Sequence, residues 1–65
     1  MITIAGTRYV RVYAVSVRPG DRIFGHGTVE AVKTLMNRVL LVTFATTPHT
    51  YFGEDDEVLI SVGPA

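Results

Sequence analysis

Turn-forming residues recur so often along this chain that no stretch between them carries helical periodicity for longer than a turn. Pro19-Gly20-Asp21, Gly25 and Gly27, Asn37, Thr46-Thr47-Pro48, Gly53 to Asp56 and Gly63-Pro64 punctuate it, and these residue types favour backbone angles that end regular structure. The segments between them are β-rich. Val, Ile and Thr supply 22 of the 65 residues, and branched side chains fit a pleated sheet better than a helix. The pattern predicts an all-β fold of five or six short antiparallel strands in a single domain, residues 1–65, with residues 1–6 as an N-terminal arm. A chain this short buries only about 60% of its unfolded surface. With zero cysteines it has no disulfide to compensate, so self-association is one route to further burial.

Arg8 to Val17 starts as a strand, with Arg8, Val10, Val12 and Ala14 on one face and Tyr9, Arg11 and Tyr13 on the other. The parity then slips, since Val15 and Val17 are apolar where Tyr9 and Arg11 stood, and a bend is expected near Ala14 and Val15. Arg18-Pro19-Gly20-Asp21 reads as a type II turn. A short strand Arg22–Phe24 follows, then the permissive Gly25-His26-Gly27, then a strand from Thr28 to Thr34 with Val29 and Ala31 sharing a face. Leu35-Met36-Asn37 forms the hairpin loop, with Asn37 in the left-handed region. Arg38 to Ala45 is the most apolar run and is assigned to the core. His49–Phe52 is a short strand, Gly53–Asp56 turns, and a closing strand carries Val58, Ile60 and Val62 on one face. Strands at this spacing suit a small SH3-like barrel.

The composition excludes more functions than it supports. Six basic residues balance six acidic ones, so bulk charge favours no polyanion. The charges are nonetheless polarised along the chain. Arg8, Arg11, Arg18 and Arg22 outnumber Asp21 in the first 25 residues, and Glu30, Glu54, Asp55, Asp56 and Glu57 outnumber Lys33 and Arg38 in the rest. Met1–Ala5 is too short for a signal-peptide core and no window reaches the length of a membrane span, so the expected location is the cytoplasm. His26, His49 and Glu54-Asp55-Asp56-Glu57 are the candidate metal ligands. Their spacing matches no ligand motif, and His26 is read as an exposed turn residue. Gly25-His26-Gly27 lacks the third glycine, the helix and the lysine of a phosphate-cradling loop. No nucleophile–base–orienter set is visible either, so the expectation is a non-enzymatic protein with no metal and no cofactor.

Arg18-Pro19-Gly20-Asp21-Arg22-Ile23 with Gly25-His26-Gly27-Thr28-Val29-Glu30-Ala31-Val32 resembles the opening hairpin of small SH3-like barrel proteins. Tyr51 to Val58 resembles their ending. The similarity spans roughly residues 12 to 62 and points to uncharacterised small proteins of actinobacteria and their bacteriophages. It implies the fold and such a source, hence a host cytoplasm for a phage-encoded chain. It carries over no functional residue.

Tyr9, Arg11 and Tyr13 form the most suggestive set, an aromatic-basic-aromatic stripe on one strand face. Tyr and Arg are enriched at the energetic centres of protein interfaces, so the leading expectation is a protein-interaction module, with Arg8 and the acidic residues Glu54, Asp55 and Asp56 as secondary contacts. In a phage setting the partner is a host protein. The first alternative is a nucleic-acid-binding barrel in which Arg8, Arg11, Arg18 and Arg22 follow a backbone while the tyrosines stack bases. The second is a self-assembling structural subunit, in which Met1-Ile2-Thr3-Ile4 pairs with an open sheet edge of its own chain or a neighbour.

Overall fold

The turns foreseen at Arg18–Asp21, Asn37 and Gly53–Asp56 close as expected. The structure, a computed structural model, describes residues 1–64. At Arg18–Asp21 the Asp21 N–H donates to Arg18 O at 3.1 Å and Gly20 takes φ 96°, as a type II turn requires. The Asp21 carboxylate then accepts the Arg18 N–H at 2.8 Å. Asn37 lies in the left-handed region at φ 61°, and Arg38 joins it there.

Seven strands result among the described residues: β1 (Ile2–Ile4), β2 (Thr7–Tyr13), β3 (Arg22–Ile23), β4 (Gly27–Thr34), β5 (Val39–Phe44), β6 (Thr50–Gly53) and β7 (Glu57–Pro64). They pair antiparallel in the order β1-β2-β7-β3-β4-β5-β6, and the sheet curls into a half-barrel. No helix among the described residues is long and apolar enough to cross a membrane. The count exceeds five or six because the N-terminal arm folds back as β1, with Ile2 opposite Tyr9 and Ile4 opposite Thr7. Ala5 and Gly6 make that turn with φ 49° and 80°, the double left-handed geometry of a type I′ hairpin. Alanine is disfavoured there by about 1 kcal/mol. Ala5→Asn should therefore raise the melting temperature by roughly 4 °C, read by thermal circular dichroism. An unchanged midpoint would show that the hairpin lies outside the cooperative unit.

The core is Ala14, Val17, Ile23, Val29, Leu40, Val42, Phe44, Val58 and Ile60, with Val10, Val12, Val32 and Phe52 packed against it. Three residues that parity groups with core residues are exposed. Val15 is exposed because the slip after Tyr13 is a single 3-10 turn, Ala14–Ser16. Its Val17 N–H to Ala14 O bond of 3.1 Å aims positions three apart, Ala14 and Val17, at the same side. Ala31 is exposed because β4 has a bulge between Val29 and Ala31, after which Val32 faces the core. Val62 is exposed because Arg8 pairs with Gly63 but Tyr9 with Ser61, leaving Val62 as the extra residue of a bulge. The 3-10 turn also continues the β2–β7 ladder one residue further, since Ala14 N–H donates to Asp56 O at 2.7 Å.

Candidate functional site

Alternation along β2 turns Val10 and Val12 onto the core and leaves Tyr9, Arg11 and Tyr13 on the outer face of the sheet. The three are not equivalent. Tyr9 is half-buried and meets Phe24 edge to face, with centroids 5.4 Å apart and planes at 76°, a favoured aromatic geometry. Arg11 is exposed, and its Nε lies 3.7 Å from Glu57 Oε1 across the β2–β7 pair. An ion pair this open adds little stability, but it balances the local charge. Tyr13, 55% exposed, stands directly opposite Glu57.

The acidic turn runs beside Tyr13, bonded to the following residue through Ala14 N–H and Asp56 O. Its carboxylates are engaged within the fold. Arg38 Nε donates to Glu54 Oε1 at 2.9 Å and Nη2 to Asp55 Oδ2 at 3.4 Å. The hydrogen bond to Glu54, with the field of Asp55 behind it, holds the Arg38 guanidinium above its ordinary pKa. Asp56 Oδ2 accepts the Gly53 N–H at 2.8 Å and closes the turn. Arg11, Tyr13 and residues 54–56 thus gather at one end of the molecule, with Tyr9 further along beside Phe24. Arg8 is not brought to them: it alternates onto the other face, opposite Thr3. Nor do the four N-terminal arginines form one track, since Arg18 folds back on the carbonyls of Val15 and Val17 at 3.4 and 3.2 Å.

His26 is not the exposed turn residue expected of a histidine between glycines. It is half-buried, stacked on Phe44 with centroids 5.2 Å apart and planes at 16°, and edge-on to Phe52 at 5.5 Å. Its N–H donates to Ile23 O at 3.0 Å and its carbonyl accepts from Thr47 Oγ1 at 2.6 Å, while Thr50 Oγ1 lies 3.5 Å from Nδ1. The ring therefore acts as a packing element at the mouth of the curl. Beside it opens a cleft of about 320 Å3 walled by Tyr9, Arg22, Phe24, His26 and Ser61. Among the described residues no cluster of three or more His, Asp or Glu side chains is arranged to hold a metal ion.

A second surface escaped the sequence reading. Leu35, Met36, Val39 and Tyr51, with Thr34, line an open hollow of about 790 Å3 on the outer side of β4–β6. Met36 is 84% and Tyr51 57% exposed, and His49 props the Tyr51 ring edge-on at 5.5 Å. Alternation in β5 separates its two faces without telling which is outside. Leu40, Val42 and Phe44 are buried, which leaves Val39 and Leu41 to the outside. No family model, curated protein or solved structure matches this chain, so its functional reading rests on the surfaces its own residues build.

Proposed function

We propose that this chain is a non-enzymatic interaction module, a small SH3-like β-barrel domain that binds a protein partner through the β2 face bearing Tyr9, Arg11 and Tyr13. The observation that supports the reading is the character of that face. An exposed tyrosine stands on the same strand face as an edge-to-face Tyr9–Phe24 pair, four residues along, and the only cation between the two tyrosines is balanced by Glu57. Aromatic area with neutralised charge suits a desolvated protein contact. A polyanion would instead have to displace Glu57 from Arg11. For a phage-encoded chain the partner is a host protein in the host cytoplasm, bound without any cofactor.

Affinity capture from an actinobacterial lysate, run beside fluorescence anisotropy with a mixed-sequence single strand, tests the reading. Tyr13→Ala should lower retention of the captured protein at least tenfold, a loss of about 1.4 kcal/mol or more. Arg11→Ala should lower it less, and the strand should remain unbound at low and moderate salt. Strand binding that falls steeply with salt and is lost in Arg11→Ala would replace this reading with nucleic-acid recognition.

A further inference from the structure

The border of the hollow on the outer side of β4–β6 carries charge in a telling arrangement. The strand registers set out its plan. Lys33 stands opposite Leu41 and Leu41 opposite Tyr51, which makes one row across three strands. Two residues along, Leu35 and Val39 are joined by a backbone bond of 2.7 Å and Val39 stands opposite Gly53, which makes the second row. Met36 sits at the hairpin tip beyond Leu35, and Glu54 and Asp55 follow Gly53. Two strand spacings across and the three residues from Lys33 to Met36 are each about 10 Å, and the fourth side runs from Tyr51 through the Gly53–Asp56 turn, so the patch is roughly square. Lys33 occupies one corner, Asp55 the opposite one, and Tyr51 and Met36 the other two.

We propose that this face docks against the same face of a second copy of the chain. For two faces to meet isologously, the two-fold axis must lie in the plane between them. An axis along the Met36–Tyr51 diagonal exchanges the two charged corners, which brings each Lys33 over the other copy's Asp55. It also crosses the strands of the two sheets at about 90°, one of the two packing angles open to stacked sheets. Lys33 has no carboxylate partner among the described residues, and the Asp55 side chain is 81% exposed while it touches Arg38, so both are available. The centre of the contact is uncharged. It contains Leu35, Val39, Leu41, Met36 and Tyr51, the mixture of aliphatic, Met and Tyr side chains that marks interface cores. A patch of this extent is smaller than a standard specific interface, so the dimer is expected to be weak and concentration-dependent.

Light scattering across a dilution series of the full chain, from about 10 µM to about 1 mM, reads the outcome. The mass should rise from 7.1 kDa towards twice that value. Met36→Asp should hold it at the monomer value, and the exposure of Met36 predicts an unchanged circular dichroism spectrum. Lys33→Asp and Asp55→Lys should each raise the dissociation constant at least tenfold, and the double variant should recover most of the loss. Tyr13→Ala should dimerise as the wild type does, which separates this contact from the β2 face. A monomer at every concentration overturns the proposal, as does a dimer that Met36→Asp leaves intact. Failure of the double charge variant to recover overturns the crossed arrangement.

Discussion

Phe44→Ala is expected to remove about half or more of the fold's stability at 25 °C. The ring is only 6% exposed and stands opposite Val29 in the β4–β5 pair, and its face carries the His26 stack. Truncating a buried phenylalanine costs about 3–5 kcal/mol, through lost transfer free energy and the cavity left behind. A domain of 65 residues holds a total of only about 3–10 kcal/mol. Here the usual relaxation around a cavity has little to draw on, since the core is only nine side chains. His26 and Phe52 would also lose the surface against which they are ordered. Phe24→Ala supplies the comparison: that ring is 49% exposed on the outer face and should cost about 1 kcal/mol. Urea denaturation followed by far-ultraviolet circular dichroism measures both. A Phe44→Ala midpoint as high as that of Phe24→Ala would mean that the interior of the curl contributes no more than its surface.

What was legible in the sequence was whatever neighbours decide among themselves. The Arg18–Asp21 turn, the left-handed Asn37 and the acidic turn at Gly53–Asp56 each follow from a few adjacent residues, and each is closed by bonds over three or four positions. The alternation of Tyr9, Arg11 and Tyr13 held for the same reason. Parity failed wherever one residue was inserted against a partner strand, because a bulge at Glu30 or Val62 is defined by the opposite strand and leaves the local pattern unbroken. Ala31 and Val62 are the residues misplaced by that blindness, whereas Val15 turns outward on a local 3-10 turn at the bend expected there.

The site was legible only in part, and the limit is again sequence separation. His26 looks like a turn residue because both glycines beside it suit a turn, and its stacking partners, Phe44 and Phe52, come from other strands. Glu54 and Asp55 look like free solvated charge because Arg38 lies 16 and 17 positions earlier. Val39 and Leu41 were assigned with their neighbours to the core, since a uniformly apolar strand gives no sign of which parity faces out. Met36 and Tyr51 then had no apparent surface to join, although the β4–β5–β6 register sets them at opposite corners of one.

Gly27→Ala should destabilise the fold by about 2 kcal/mol, and the cause is backbone conformation rather than crowding. Gly27 opens β4 opposite Ile23 with φ 115°, a region that costs an L side chain heavily whatever lies around it. Space is available, since the nearest atom to a new Cβ would be Thr47 Oγ1 at 4.0 Å. Gly53→Ala reverses the two conditions and isolates the cause. There φ lies outside the positive region and the new Cβ would meet the Asp56 carboxylate at 3.6–3.8 Å, ordinary contact distances. That variant should stay within about 0.5 kcal/mol of the wild type. The strain at Gly27 also reaches the mouth of the curl. Relaxing its φ rotates the preceding peptide, whose carbonyl belongs to His26 and accepts the Thr47 hydroxyl, so the imidazole shifts against Phe44. Chemical denaturation gives the stability, and the His26 ring-proton shifts, set by the stacked Phe44 face, report the displacement. Equal stability loss in Gly27→Ala and Gly53→Ala, with unmoved His26 resonances, would show that the glycine serves packing and not the bend that seats the histidine.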